Sequence, residues 1–129
     1  MASDPRRTLG ARGERVAEAH LAASGYRVLE RNYRTRFGEI DLVLGDARGL
    51  VFCEVKTRSG RGVAGGLAPL DSIGVGKRRR VRMMAREWLA ERPARSRPPA
   101  GDELRFDAIG VRLSAGGKVL SLEHVEDAF

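Results

Sequence analysis

Gly38-Glu39-Ile40-Asp41-Leu42-Val43-Leu44, followed after a glycine-bounded turn by Leu50-Val51-Phe52-Cys53-Glu54-Val55-Lys56-Thr57, decides how this chain folds. The first stretch alternates, so an extended strand puts Ile40, Leu42 and Leu44 on one face and Glu39, Asp41 and Val43 on the other. The second is apolar almost without interruption up to Glu54, the pattern of a central strand covered on both faces. In it Phe52, Glu54 and Lys56 share one side, and Val51, Cys53 and Val55 the other. The short turn at 45–49 makes the two strands neighbours. Asp41 and Glu54 interrupt apolar runs, and a buried charge is costly unless it is paired or binds a metal. On adjacent strands the two acids can converge, with Lys56 projecting beside them. Two carboxylates suit a hard divalent ion such as magnesium. Such an ion can polarise a phosphodiester while a nearby lysine positions the attacking water. A Glu54–Lys56 ion pair on a half-exposed strand, with Asp41 solvated, is the alternative that these residues leave open.

Working outward, residues 9–24 read as a helix. Leu9, Gly13, Val16, Ala17, His20 and Leu21 fall on one broad face, which makes His20 an expected core residue, and Gly25 is a stop signal. Residues 26–31 are β-prone, and a polar turn region runs from there to Gly38. Downstream, 58–76 is glycine-rich, with a mobile loop expected at 60–66. A second helix is predicted over 75–91, with Val81, Met84, Ala85, Trp88 and Leu89 as its apolar stripe. Pro93, Pro98 and Pro99 mark 92–102 as an exposed loop. The chain ends as a hairpin, 104–113 and 118–123, turning at Ala115-Gly116-Gly117. The order α-β-β-β-α-β-β defines an α/β fold with a mixed central sheet flanked by helices. Its length fits one domain over 1–129, with 1–8 as a disordered N-terminus.

The formal charge is +7, and only three of the 24 basic residues, Lys56, Lys77 and Lys118, are lysine. Arginine grips phosphate through a planar fork, and a basic surface attracts polyanions by releasing counterions. GC-rich coding inflates Arg, Ala and Gly together, so charge alone argues only modestly for nucleic acid. The run Lys77-Arg78-Arg79-Arg80, with Arg82 a turn further on, is the best candidate phosphate-contacting patch. Arg34, Arg36, Arg58 and Arg61 flank the two acidic strands and could hold a nucleic-acid backbone there without reading its sequence. No apolar stretch is long enough to span a bilayer, and the basic N-terminus lacks the apolar segment of a signal peptide. A lone Cys53 fits a reducing compartment, so a cytoplasmic protein without membrane contact is expected. Cys53 lacks the surroundings of a nucleophile. Asp107 is expected to pair locally with Arg105, and His124 carries no assignment.

Gly38-Glu39-Ile40-Asp41-Leu42 and then Phe52-Cys53-Glu54-Val55-Lys56-Thr57-Arg58 resemble the Asp…Glu-x-Lys signature of the PD-(D/E)XK nuclease superfamily. Over most of its length the chain is more closely similar to the YraN-like family of small bacterial proteins. Gly10-x-x-Gly13-Glu14 with Ala17 and Leu21 fits that family's first helix, Gly25-Tyr26 its end, and Asn32-Tyr33-Arg34 the approach to the first motif. Lys77, Arg105-Phe106-Asp107 and Ala128-Phe129 continue the match in order and spacing. Ile40 stands where the superfamily's name has proline. The resemblance implies a restriction-endonuclease-like core similar to Holliday-junction resolvases. It makes Asp41 and Glu54 metal ligands, Lys56 the water-orienting residue and Glu14 an extra acid from the first helix, with magnesium or manganese as the ion. Glu14 also lies at the border of the helix's buried stripe, where it could reach the sheet; a surface helix acid paired with Arg15 is the alternative that the residues leave open. Glu39 shares a face with Asp41 and could add a supporting contact, and a strand-end position beside solvent explains it equally well. The implied activity is phosphodiester hydrolysis by an endonuclease, structure-selective on DNA rather than RNA. The alternatives are a non-catalytic nucleic-acid-binding module with the same fold and, more weakly, an assembly factor whose arginines meet an acidic protein. Resolvase-like relatives pair up, so a homodimer is compatible with the resemblance, although no dimer surface is identifiable.

Overall fold

The computed structural model of the protein describes residues 5–60, 75–92 and 103–129. The expected loops at 60–66 and 92–102 fall outside these residues except for Gly60 and Arg92, and Arg61 lies outside them too. The elements follow the predicted order: α1 (Pro5–Ala23), β1 (Arg27–Thr35), β2 (Gly38–Asp46), β3 (Gly49–Ser59), α2 (Val75–Glu91), β4 (Glu103–Leu113) and β5 (Val119–Val125). One five-stranded sheet runs β1-β2-β3-β4-β5. β3 and β4 are parallel and the other three pairs antiparallel. A parallel pair cannot be joined by a tight turn, and the connection that contains α2 supplies the crossover. The result is a mixed sheet flanked by two helices, consistent with a restriction-endonuclease-like core.

β3 is central and covered on both faces, as its unbroken apolar run predicts. On the α1 side, Val51 and Cys53 pack with Ala17, Leu21, Leu42, Leu44, Ile109 and Val111. On the α2 side, Phe52 packs with Val81, Met84, Trp88 and Phe106. Its ring centroid lies 5.7 Å from that of Trp88, edge to face, and 5.7 Å from that of Phe106, stacked. Aromatic pairs in these arrangements contribute about 0.5–1.5 kcal/mol each beyond the area they bury. Trp88 is anchored at its polar end as well, its Nε1 donating to Glu30 at 2.9 Å.

Several expectations need correction. α1 starts at Pro5 rather than Leu9, so part of the terminus expected to be disordered is helical. Proline suits a first turn, whose N–H groups have no intrahelical partner. β1 continues to Thr35 through residues expected to form a turn, with Asn32 in a left-handed conformation at φ 52°. Tyr33 of this polar run is buried on the α2 side, which gives the strand its reason to continue. His20 is exposed, not packed. The buried line of α1 is Gly13, Ala17 and Leu21, spaced by four. The line is narrow because α1 sits very close to the sheet: a Cβ at Gly13 would lie 1.9 Å from Thr57 Oγ1. His20 falls beside that line rather than on it.

The alternation in β2 also fails at one point. Leu42 and Leu44 face α1 and Val43 faces α2, but Ile40 packs on the α2 side, opposite to the face expected. The break falls at Asp41. The β2–β3 ladder runs from Asp46↔Gly49 to Leu42↔Cys53 and goes no further, while β1 and β2 stay paired to Thr35↔Gly38. β2 therefore parts from β3 at the acid that the sequence singles out.

Candidate metal and nucleic-acid site

Where β2 leaves β3, the Asp41 side chain takes over the ladder's role: Val55 N–H donates to Asp41 Oδ2 at 2.7 Å. A buried amide must find an acceptor, and here a carboxylate replaces the missing backbone carbonyl. One oxygen of the Asp41 carboxylate is thus held by β3. Among the described residues, Asp41, Glu14 of α1 and Glu39 of β2 each bring a carboxylate oxygen within 4.8 Å of the others. The close approach at Gly13 brings the next residue, Glu14, to the sheet.

Three acids this close cannot all be charged without penalty. Burial pushes the Asp41 carboxyl up to about 7, with the charges of Glu14, Glu54 and Glu39 raising it further against the opposing Val55 hydrogen bond. The Glu14 carboxyl is raised too, first by burial, while its hydrogen bond with Asp41 works the other way. Adjacent carboxylates that share a site hold a proton in common. A divalent cation would relieve the same repulsion, and an all-oxygen donor set suits magnesium or manganese.

Glu54 lies next to this cluster but outside it. It sits on the α2 side of β3, where Lys77 forms an ion pair with its Oε1 and Lys56 Nζ approaches the same oxygen at 3.4 Å. The other oxygen, Oε2, is buried with no hydrogen-bond partner. That unsatisfied acceptor is the clearest local mark of a group prepared for a cation, because leaving it bare costs about 1–3 kcal/mol. The donor set that fits a metal is therefore Glu14, Glu39 and Asp41, while Glu54, with its unpartnered oxygen, lies outside that group.

The structure thus brings together Glu14 and Asp41, adds Glu39 as a full member of the cluster, and brackets Glu54 with two lysines. Lys77 was expected to contact phosphate; here it reaches from the first turn of α2 to Glu54. The basic residues divide by what they touch. Arg78, Arg79 and Arg80 are exposed at the start of α2, and Arg58 at the end of β3. Arg34 pairs with Glu39 at 3.4 Å while its side chain stays 80% exposed. Arg36 lies over the Phe37 ring and 4.0 Å from Glu87. Arg82 donates to the Phe129 carbonyl at 3.0 Å and covers the Phe106 ring, so it tethers the last residue to the sheet.

Two openings flank the acids. On the α1 side a cleft of about 630 Å³ is lined by Glu14, Arg15, Glu18, Asn32 and Asp41 among others. On the α2 side a smaller hollow of about 230 Å³ is lined by Glu39, Lys77 and Arg80.

A second polar centre went unseen in the sequence apart from one pair. Asp107 is fully buried and receives Arg105 Nε at 2.9 Å, as its local pairing predicts. It also meets His124 Nε2 at 2.7 Å and accepts from Asp127 N at 3.1 Å. The Tyr26 hydroxyl joins the group, accepting from Arg105 and Arg48. The available signal was Asp107 itself, an acid set among Phe106, Ala108 and Ile109. The partners from 17 to 20 residues away had none.

A five-stranded mixed sheet with one helix on each face makes this an α/β protein whose fold is consistent with a restriction-endonuclease-like core. Residues 13–111 match the Uncharacterised protein family UPF0102. The chain is 48% identical over 115 residues to a UPF0102 protein of Mycolicibacterium smegmatis, covering 88% of this chain and 86% of that one. It is 46% identical to one of Parafrankia over 121 residues, 94% and 95% of the two chains. With one of Frankia alni it shares 43% over 129 residues, the whole of both. The chain belongs to the UPF0102, or YraN-like, family. No helix among the described residues is long and apolar enough to cross a membrane.

Proposed function

We propose that this protein is a divalent-metal-dependent endonuclease that hydrolyses phosphodiesters of DNA in preference to RNA, in the cytoplasm. The observation that carries this reading is the gathering of Glu14, Glu39 and Asp41 within 4.8 Å, beside Glu54 with its unpartnered Oε2, at the point where β2 parts from β3. Asp41, Glu14 and Glu54 would hold magnesium or manganese, with Glu39 supporting or joining them. When bound, the ion polarises the phosphoryl oxygen and lowers the pKa of water. The chain's own groups do the rest. Lys56, near Glu54, orients the attacking water, and Lys77 is placed to exchange Glu54 for a phosphate oxygen. Arg58, Arg78, Arg79 and Arg80 draw in the polyanion, and Arg34 and Arg36 extend that basic rim. The free, buried Cys53 suits a reducing compartment.

One observation favours a second reading. Glu54 is already neutralised by Lys77 and Lys56, an arrangement that also suits a non-catalytic nucleic-acid-binding module. Incubation with magnesium or manganese and single-stranded, duplex or branched DNA separates the two. The endonuclease cleaves, and Glu54→Ala and Lys56→Ala each abolish cleavage. Cleavage that survives both substitutions sinks the assignment; salt-sensitive binding without turnover in any metal establishes the binding module.

A further inference from the structure

The cleft on the α1 side has a floor and a chemistry of its own. Its walls include Ala11, Ala19 and Ala22 of α1, facing Asn32 of β1. Asn32 sits between the pairs Arg31↔Leu42 and Tyr33↔Ile40, which places it directly across from Asp41 in the β1–β2 ladder. It is also one of two non-glycine residues at positive φ among those described. A left-handed residue inside a strand costs stability and recurs at ligand sites. The remaining wall is acidic. Glu14, Glu18 and Asp41 outnumber Arg15 and Arg31, and Arg31 is already bound through two nitrogens to Glu18. Away from a cation held by Asp41 and Glu14, a phosphate is repelled from such a surface, whereas the hollow on the other side of Glu39, with Lys77 and Arg80, suits one.

Resting on the endonuclease reading, we propose that the α1 cleft takes the base and sugar of an unpaired nucleotide beside the scissile phosphate, with Asn32 as its specificity-determining residue. The volume lies within the ~300–1,000 Å³ of pockets that enclose small ligands. Alanines give an apolar wall against which a base can lie flat, and the Asn32 amide offers a donor and an acceptor to a base edge. A base in a duplex is stacked on its neighbours and must leave the stack before it can enter a cleft. The substrate class is therefore single-stranded, flapped or branched DNA, not continuous duplex.

Fluorescence anisotropy with a labelled oligothymidylate strand, a continuous duplex and a splayed fork, in calcium and in EDTA, tests this directly. The wild-type chain should bind the strand and the fork about tenfold tighter than the duplex, the size of one stacked base. Ala19→Phe fills the cleft from an exposed helix position and should erase that preference while leaving duplex binding in place. Asn32→Gly keeps the left-handed backbone and should change the ranking of oligothymidylate against oligocytidylate and oligoadenylate. Thermal melts confirm that both variants fold. Wild-type preference for duplex, or a single-strand preference unchanged in both variants, overturns the proposal. Magnesium-dependent cleavage is followed in parallel. Turnover with a preference indifferent to Ala19→Phe refutes the cleft and leaves the endonuclease. A cleft-dependent preference without turnover does the reverse, and absence of any binding refutes both.

Discussion

Asp41 and Asp107 are both withdrawn from solvent on the same sheet, and they are almost aligned. Asp107 pairs with Cys53, Cys53 with Leu42, and Asp41 is the next residue along. Their surroundings are opposite. Asp107 is met by Arg105, His124 and a backbone N–H, so its charge is answered by the fold. Asp41 has one backbone donor, shares a hydrogen bond with Glu14, and is otherwise crowded by acids that raise its carboxyl. Burial by itself says little about function, and the sign of the neighbours says much more. A compensated acid builds structure, whereas an acid crowded by acids stores a demand for a cation or a proton.

The comparison can be broken most sharply at Asp107. Asp107→Ala removes the buried carboxylate that pairs with Arg105, leaving that guanidinium only Tyr26 and the half-exposed Glu126, and should cost about 3–5 kcal/mol, measured by urea denaturation. A loss below about 1 kcal/mol would mean that the network is not holding the sheet together. Gly13→Ala comes next. A Cβ 1.9 Å from Thr57 Oγ1 forces α1 away from β3, so a loss of about 1–3 kcal/mol should accompany weaker metal affinity by calorimetry as Glu14 withdraws. Unchanged metal affinity would remove Glu14 from the ligand set.

Asp41→Asn should act in the opposite direction from Asp107→Ala. The folded carboxyl is raised to about 7 against an ordinary 3.8, so between those values the folded state holds more protons than the unfolded. Stability of the metal-free protein then falls as pH rises through that window and levels off above it. Asparagine removes the penalty. Metal-free Asp41→Asn should be roughly 2 kcal/mol more stable than wild type at pH 8, allowing for partial solvent contact, and little different at pH 4. Excess magnesium should reverse the order at pH 8, since only wild type gains binding energy. A variant less stable than wild type at pH 8 without metal would show that Asp41 is structural. The smallest effect belongs to the exposed arginines. Arg79→Ala should weaken DNA binding only a few-fold and reduce the salt slope by about one unit. A loss confined to one DNA structure would place Arg79 in recognition rather than general attraction.

Strand reading located Asp41, Glu54 and Lys56 because each is an acid or lysine inside an apolar run, and such exceptions are visible locally. Glu14 came from the family resemblance; its place at the border of a helical stripe agreed but suited a surface acid equally. Glu39 was underrated because ideal alternation assumes that a strand keeps its partner, and β2 loses β3 at Leu42. His20 was misplaced because a helical wheel shows direction and not distance of approach. The bracket of Lys77 on Glu54 spans 23 residues and a crossover, and nothing local encodes it.

From the sequence alone came the order of elements, the central position of β3 and the presence of uncompensated acids at known places along two strands. These depend on periodicity and on the cost of burying charge, both readable within a few residues. Only the tertiary structure decided which acids meet and which are answered. That depends on where β2 parts from β3, on how closely Gly13 lets α1 approach, and on what the crossover returns to the sheet. Each is a contact between segments distant in the chain, so the charge at Asp41 stays crowded by other acids while the charge at Asp107 is paired.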